Sequence, residues 1–216
     1  FGMAALLPHK ELSVERTPDG LKVLTDGKST ESGNREAILK AANPQSIAVK
    51  AETLLGMVRR DAVDLVRGQE VIYIYHNVVD KSGHSETDVF AACENAIEQI
   101  KRIVRKIKNE LSGVHIVITA DHGFLYTQSE LAESDKVAKS ISKAQTVESS
   151  DRYIIAGKSA ADDMLMSVKF TPAPDEFNAF TPRENIRISR RGGTPKFIHG
   201  GASLQEMMNF SLHRAR

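Results

Sequence analysis

The sequence predicts an α/β domain with a mainly parallel sheet flanked by helices. The segments 70–80 and 114–120 each contain a run of apolar, β-branched or aromatic residues, and an amphipathic stretch over 86–111 separates them. Continuous apolar runs are typical of parallel strands that are covered on both faces. A strand, a helix and a second strand in this order form a βαβ unit, whose crossover is right-handed. We therefore expect the two strands to be neighbours in one sheet.

The helix predicted over 86–111 is the longest in the chain, because apolar residues recur along it at three- and four-residue spacing. Helices are also predicted over 34–42 and over 47–66, where the same spacing is found. In the segment 12–30, the turn sequences TPDG and TDGKS flank the strand sequence LKVLT. This arrangement predicts a short hairpin.

The pattern is weaker after residue 126. A charged helix is predicted around 131–144, a strand at RYIIAG and an outer strand at NIRISRRGG. Three prolines within 170–185 predict an irregular excursion. Ser203 is expected to begin a short final helix, because a serine side chain can satisfy free N–H groups at a helix start.

The composition argues against several broad classes of protein. With 29 basic and 28 acidic residues, the chain has no net field that would by itself predict binding to nucleic acid or to a membrane. The single cysteine, Cys93, excludes an internal disulfide and fits a reducing compartment. No apolar run approaches the length of a membrane span. We expect a soluble cytoplasmic domain without membrane partners, and the absence of an initiator methionine is interpreted as a fragment of a longer protein.

Acidic and histidine side chains follow both predicted buried strands. Asp80 follows the first strand, and His84 comes four residues later. Asp121 and His122 follow the second strand, and His199 ends another short apolar stretch before two glycines. Ligands of open α/β sheets bind beyond the carboxyl ends of the strands. Carboxylate oxygens and imidazole nitrogens bind zinc, and manganese or iron accepts the same groups. Because these groups exceed what one tetrahedral ion takes, they predict a pair of ions.

Each of these residues also has a simpler interpretation. A single aspartate after a strand commonly forms a turn or caps a helix, and a single histidine commonly belongs to the core or the surface. This simpler interpretation is preferred for His9, His115 and His213, which stand outside the pattern. His76 lies inside the first strand and is interpreted as structural or supporting. The metal hypothesis depends on the joint occurrence of two Asp/His pairs at two strand ends.

The order Asp-x-x-x-His, Asp-His-Gly and a distant His-Gly is similar to the ligand order of the alkaline phosphatase superfamily. More closely, the segments GMAALLPH, YIYHNVVD, ITADHGFLY and KFIHGGASLQE resemble the PglZ domain of bacterial phage-exclusion systems. Each segment alone is a weak signal. All of them occur in order between Gly2 and Glu206, which makes the resemblance specific.

The resemblance implies a role for each candidate ligand. Asp80, His84 and His199 would hold one divalent ion, and Asp121 with His122 would hold the second. Both ions are expected to be zinc, with manganese as the alternative. The site with three ligands in this chain is expected to bind metal more readily than the site with two.

The resemblance also implies what the fragment lacks. In the superfamily the second ion takes a further aspartate and activates a serine or threonine nucleophile, and both groups are expected upstream of Phe1. The chain is therefore interpreted as a single, N-terminally truncated PglZ-type domain over residues 1–216, with an alkaline phosphatase-like fold. Within it, residues 127–191 would form a cap over the site. The fragment is expected to be inactive by itself.

The implied function is metal-dependent hydrolysis of phosphoric esters, as a phosphodiesterase or a phosphatase, within a phage-defence protein. The implied partners are a phosphate ester substrate, including a nucleotide or nucleic acid, and other proteins of the defence system. The alternative is a metal-binding interaction or scaffold module without turnover of its own. Four arginines of the predicted cap are interpreted as either phosphate-binding or solvated: Arg183, Arg187, Arg190 and Arg191.

Overall fold

The structure is a computed structural model that describes residues 1–84, 88–111, 115–129, 131–189, 195–208 and 212–214, with the backbone alone at 83–84 and at 212–214. The chain divides into two compact units, and neither is one continuous stretch. Unit 1 consists of Phe1–Ala5, His9–Ser29 and Ala120–Asn209, and unit 2 consists of Leu6–Pro8, Thr30–Thr119 and Phe210–Arg216. The prediction of an α/β chain holds, since helices and strands are mixed along the sequence.

The described residues form seven α-helices: α1 (Gly2–Ala5), α2 (Arg35–Ala42), α3 (Ala51–Gly56), α4 (Arg59–Val66), α5 (Val78–His84), α6 (Val89–Glu110) and α7 (Leu204–Met207). The strands of the described residues are β1 (Leu12–Thr17), β2 (Gly20–Thr25), β3 (Lys28–Ser29), β4 (Ser46–Lys50), β5 (Val71–Tyr75), β6 (Ile116–Ile118), β7 (Leu125–Tyr126), β8 (Lys136–Val137), β9 (Thr146–Ser149), β10 (Ile154–Gly157), β11 (Met166–Lys169), β12 (Phe177–Thr181), β13 (Arg187–Ile188), β14 (Phe197–Ile198) and β15 (Leu212–Arg214). Two short 3-10 helices lie at Ser32–Asn34 and Glu133–Asp135.

Unit 2 is built around the parallel pair β4–β5, in which Ser46 lies opposite Val71. Apolar residues of β4 and of three helices form its main buried cluster: Val49, Ala51, Leu54, Ala62 and Ile103. Helix α6 begins at Asp88, whose carboxylate accepts hydrogen bonds from the backbone N–H groups of Phe90 and Ala91 at 3.0 and 3.2 Å. This cap satisfies two N–H groups that have no partner within the helix.

Unit 1 contains an antiparallel three-stranded sheet in the order β1-β2-β3 and an antiparallel four-stranded sheet in the order β11-β12-β10-β9. The predicted hairpin is confirmed. Its second turn is Asp26-Gly27, and both residues have positive φ, 48° and 75°, which is the conformation that a two-residue hairpin loop requires. Buried residues of β8, β10, β12 and β13 and of the loops beside them form its largest apolar cluster: Val137, Ile141, Ile154, Ala156, Ala160, Leu165, Phe180 and Ile188.

The prediction of a single helix over 47–66 is wrong. Residues Ser46–Lys50 form β4, and the rest is divided into α3 and α4 around Met57. The sequence SIAVK is apolar and partly β-branched, so it fits a covered strand, and its pairing with β5 supplies the hydrogen bonds that a helix would have made internally. The helical spacing of apolar residues corresponds to helices only from Ala51 onward.

A mainly parallel sheet is not confirmed. Among the described strands, the pairs β4–β5 and β13–β8 are parallel, whereas the other ladders are antiparallel. The pairing expected between the two buried strands is not found in the described ladders. Strand β4, which the sequence did not reveal, lies beside β5, and β6 pairs with β15.

Two expectations for the segment after residue 126 are also wrong. Residues 131–144 form the 3-10 helix Glu133–Asp135 and strand β8 instead of an α-helix. The proline-rich segment 170–185 contains β12, which lies between β11 and β10 in the four-stranded sheet. Its prolines lie outside the strand, which leaves every N–H of Phe177–Thr181 available for pairing.

None of the helices in the described ranges combines the length and the apolar content that crossing a membrane requires.

Truncation of a side chain in the buried cluster of unit 2 should create a cavity and lower the stability of the fold. Leu54 has no exposed surface, so Leu54→Ala is expected to lower the free energy of unfolding by about 2–5 kcal/mol, through lost transfer free energy and a residual cavity. Val58→Ala is the matched control, because Val58 is 64% exposed and its truncation should change the stability by less than about 0.5 kcal/mol. Urea unfolding followed by circular dichroism measures both. Equal effects in the two variants would contradict this packing.

Candidate metal centre

His122 and His199 are brought together by a short antiparallel ladder in unit 1. Strand β7 pairs with β14, so that Leu125 lies opposite Ile198 and Tyr126 opposite Phe197. His122 precedes β7 and His199 follows β14, and both histidines therefore lie beyond the same end of the ladder. The hydrogen bonds between these strands make neighbours of two residues that are distant in the sequence.

The two imidazole rings are stacked. Their centroids are 4.1 Å apart and their planes differ by 13°. A ring nitrogen of His122 and a ring nitrogen of His199 lie within 4.8 Å of one another. Two nitrogens that bind one zinc ion at about 2.0–2.1 Å lie at most about 4.2 Å apart, which is close to this limit. The geometry of the pair is therefore compatible with a shared ion or with two adjacent ions.

The hydrogen bonding of His122 assigns the roles of its two ring nitrogens. Nδ1 lies 3.0 Å from the carbonyl oxygen of Gly123, which can only accept, so Nδ1 carries the proton and donates. In the neutral ring Nε2 is then the nitrogen with the lone pair, and the nearest carboxylate oxygen of Asp121 lies 3.7 Å from it. Histidines that bind metals typically donate their second ring N–H to a backbone carbonyl or a carboxylate. Carboxylate oxygen and imidazole nitrogen, which Asp121, His122 and His199 carry, are groups that a zinc-like ion accepts.

Asp80 and His84 belong to unit 2, where both lie in α5. Asp80 is in the first turn of this helix and is half-buried. The side chain of His84 lies outside the described residues. The expected contribution of these two residues to a metal centre therefore stays a prediction.

A fully buried ion pair lies next to the histidines. The side chains of Arg152 and Glu206 are 0% and 1% exposed. Arg152 donates from Nε to one carboxylate oxygen at 3.0 Å and from Nη2 to the other at 2.7 Å. It also donates to the backbone carbonyls of Glu184 and Ile186. Bidentate pairing with these additional acceptors satisfies the guanidinium, which is what makes a buried charge tolerable.

Glu206 is held in its charged form. Burial by itself raises the pKa of Glu206, but hydrogen bonds from Arg152, Ser203 and Gly201, together with the charge of Arg152, outweigh the effect of burial. The pKa of this carboxyl consequently lies below the ordinary range of a glutamate.

A second arginine is buried beside this pair. Arg187 is 0% exposed and donates from Nη1 to the carbonyl of Asn185. Within the described residues its Nε and Nη2 have no hydrogen-bond partner. Burial and the positive charge of Arg152 lower the pKa of Arg187, while Glu206 and Asp151 oppose this shift. The interpretation of Arg187 as solvated is therefore wrong. Of the other three arginines of the predicted cap, Arg183 is exposed, and Arg190 and Arg191 lie outside the described residues.

Comparison with known proteins agrees with the resemblance of the sequence segments. Residues 1–208 match the family described as the BREX system PglZ alkaline phosphatase-like domain. The chain belongs to the PglZ family. Proteins of the alkaline phosphatase superfamily generally use divalent metals, and the ring nitrogens of His122 and His199 in this PglZ chain lie within 4.8 Å of one another.

Two curated relatives match this PglZ chain along nearly its whole length. It is 37% identical over 213 residues to the alkaline phosphatase-like protein BrxZ of Escherichia coli O9:H4 (strain HS), covering 96% of this chain and 24% of the relative. It is 34% identical over 214 residues to the alkaline phosphatase-like protein PglZ of Bacillus cereus (strain H3081.97), covering 96% of this chain and 25% of the relative. The chain spans about a quarter of the length of these relatives.

Sequence reasoning selected the histidines of the candidate centre but not the residues that hold their segments. Ser203 was expected to begin a helix, and α7 does begin after it. Glu206 lies in one of the four PglZ-like segments, yet nothing in its neighbourhood marks it as buried. Arg152 has no signal in the sequence at all, because an arginine is ordinarily a surface residue.

Gly123 provides a test of this local packing. A Cβ at Gly123 would lie 1.9 Å from the backbone carbonyl oxygen of Gln205, so Gly123→Ala must displace either the His122 segment or α7. We expect a loss of about 1–3 kcal/mol in the free energy of unfolding, measured by urea titration. Gly157→Ala is the matched control, because no described atom lies within 4 Å of its added Cβ, and its effect should stay within about 1 kcal/mol. A neutral Gly123→Ala would contradict the contact.

The lowered pKa of Glu206 predicts a pH dependence of stability. In the unfolded chain this carboxyl titrates near its ordinary pKa of about 4.3, and in the folded chain below it. The stabilisation is therefore fully present above the unfolded pKa and is lost as the pH falls through the folded one. In Glu206→Gln, the free energy of unfolding should fall less steeply between about pH 5 and pH 3 than in the wild type. Chemical denaturation at each pH measures this, and identical slopes would show that Glu206 is not held in its charged form.

Proposed function

We propose that this chain carries metal ligands of a metal-dependent phosphoric ester hydrolase, a phosphodiesterase or phosphatase, that belongs to a bacterial phage-defence protein. The observation that carries the proposal is the stacked pair of His122 and His199, with Nε2 of His122 left as an acceptor beside the carboxylate of Asp121. Membership of the PglZ family supports the class of reaction, and the matched family's description supports the setting in a BREX system.

The proposed ligands are divided between two divalent ions, with zinc as the first choice and manganese as the second. Asp121 and His122 would hold one ion, and Asp80, His84 and His199 the other. The short distance between Nε2 of His122 and the Asp121 carboxylate supports the first set. The position of Asp80 and His84 four residues apart in α5 supports the second, because residues at this spacing share one face of a helix.

The chemistry that such ions supply is charge neutralisation at the phosphoryl oxygens and activation of an attacking oxygen. The residues of this chain would orient and hold the ions. The proton on Nδ1 of His122 is bound to a backbone carbonyl, which fixes the ring in the tautomer that presents Nε2. We propose that the nucleophile and a further aspartate belong to sequence upstream of Phe1, and that residues 127–191 form a cap within a single PglZ-type domain.

The proposed substrate is a phosphate ester, with nucleotides and nucleic acid as candidates, in the cytoplasm. The balance of 29 basic and 28 acidic residues does not favour nucleic acid through net charge.

A second candidate function is a metal-binding scaffold that holds other proteins of the defence system. Exposed apolar residues at α7 favour it, since Leu204 is 69% and Met207 65% exposed, and such side chains commonly mark protein contacts.

The test is hydrolysis of a chromogenic phosphodiester and of its monoester by the full-length protein, in the presence of zinc or manganese. His122→Ala is expected to reduce turnover at least about 100-fold, because an ion held by fewer ligands no longer neutralises the phosphoryl charge. His9→Ala is the control, since His9 is exposed and outside the centre, and its turnover should match the wild type.

The two candidate functions differ in the outcome for Asp121→Ala. A hydrolase loses phosphoester turnover and defence activity together in this variant. A scaffold keeps its defence activity as long as the variant folds. Absence of turnover from a folded, metal-loaded wild-type protein would contradict the hydrolase and favour the scaffold.

A further inference from the structure

Glu206 contacts the segment that follows each of the two histidines. Its backbone carbonyl accepts a hydrogen bond from the N–H of Gly123 at 2.9 Å. The carbonyl of Gly123 in turn accepts from Nδ1 of His122 at 3.0 Å. Gly123 is therefore held by two hydrogen bonds, one to the backbone of α7 and one to the imidazole ring of His122.

The carboxylate of Glu206 holds the segment after His199. One oxygen accepts from the N–H of Gly201 at 2.9 Å, and the other accepts from the N–H and the Oγ–H of Ser203 at 3.2 and 2.6 Å. The loop between His199 and α7 is thus folded around this one carboxylate. Neither oxygen is left for a metal ion, because Arg152 binds both of them as well.

Arg152 connects this arrangement to the four-stranded sheet. It lies two residues before β10 and is itself held by the carbonyls of Glu184 and Ile186. Rotation of the guanidinium would break several hydrogen bonds at once, so the orientation of the Glu206 carboxylate is fixed from outside the histidine loops.

We propose that the buried Arg152–Glu206 pair is a positioning element that sets the mutual orientation of the His122 and His199 rings and thereby the affinity of the centre for metal. The metal part of this inference rests on the proposed function, whereas the part that concerns the rings does not. Both residues act through the histidines and do not contact the ion.

A purely structural ion pair would behave differently. Its loss would lower the stability of unit 1 but would leave the two rings stacked in the molecules that remain folded. A positioning pair changes the ring geometry and the metal affinity even in a fully folded population. The readout must therefore report on the rings themselves.

The first measurement is the ¹H–¹³C NMR spectrum of the histidine rings in the 216-residue chain without metal. Rings stacked at 4.1 Å shift each other's proton resonances through their ring currents, and the variants His122→Ala and His199→Ala assign the signals. We expect Glu206→Gln and Arg152→Lys to remove this mutual shift, the first by weakening the acceptor and the second by replacing the forked donor. Asp162→Asn is the matched control, because Asp162 also accepts backbone hydrogen bonds in unit 1 but contacts neither histidine segment in the described structure.

The second measurement is calorimetric titration with zinc of the same substitutions made in the full-length protein, so that every proposed ligand is present. Groups that orient metal-binding histidines typically change the affinity about 10- to 100-fold when they are replaced, and we expect a loss of this size in Glu206→Gln and in Arg152→Lys. The control Asp162→Asn should bind zinc as the wild type does. Circular dichroism verifies that each variant is folded.

The outcomes separate this inference from the proposed function. A wild type that binds no zinc contradicts the metal centre, and the ring signals then decide the positioning role alone. Unchanged ring shifts in folded Glu206→Gln and Arg152→Lys overturn the inference, whatever happens to zinc binding. Ser203→Ala removes the 2.6 Å hydroxyl bond to the Glu206 carboxylate together with the cap that this hydroxyl gives to α7, and leaves the buried ion pair in place. It decides the question if the two buried variants do not fold: a measurable change in the His199 shift supports the inference and an unchanged spectrum overturns it.

Discussion

The arrangement of unit 1 around the histidines depends on one buried ion pair. Arg152 and Glu206 are excluded from water, and the cost of removing two charges from solvent is several kcal/mol for each ion before pairing. Their hydrogen bonds offset this cost because nearly every donor and acceptor of the two groups is used. The same bonds join three separate segments of the chain, those around Arg152, Ile186 and Gly201, and the backbone carbonyl of Glu206 adds the segment of Gly123. A hydrophobic pair of similar volume could fill the same space but could not accept the backbone N–H groups of the loops.

The elements that the sequence predicted well are those whose signal is local. Helix α6 follows from apolar spacing, and the hairpin of β2 and β3 follows from an Asp-Gly turn. Strand β4 was missed because its residues also fit the helical pattern of the segment that follows, and pairing with β5 decided the outcome. Strand β12 was missed because prolines at its borders resemble those of an irregular loop. In both cases a partner strand that is distant in the sequence determined the structure.

The candidate site divides in the same way. Asp121, His122 and His199 are visible in the sequence as candidate ligands, because metal ligands are expected at the strand ends of α/β folds and because the three residues occur in PglZ-like segments. The supporting residues could not be predicted, since burial of Arg152, Arg187 and Glu206 arises from tertiary packing alone. A sequence therefore reveals candidate ligands more readily than the buried groups that hold the surrounding segments in position.

The two units alternate along the chain, and this order affects which recombination events between related genes preserve the packing of unit 1. Unit 1 is assembled from Phe1–Ala5, His9–Ser29 and Ala120–Asn209, so the gene that encodes it is interrupted by the long stretch that encodes most of unit 2. In unit 1, Val14 and Leu21 of the hairpin pack against the cluster of Ile155, Phe170 and Phe177. A recombination breakpoint between two related genes anywhere within codons 30–119 would combine the hairpin of one parent with the sheet of the other. Exchange between diverged relatives should therefore tolerate double crossovers that replace codons 30–119 as a block better than single crossovers within them.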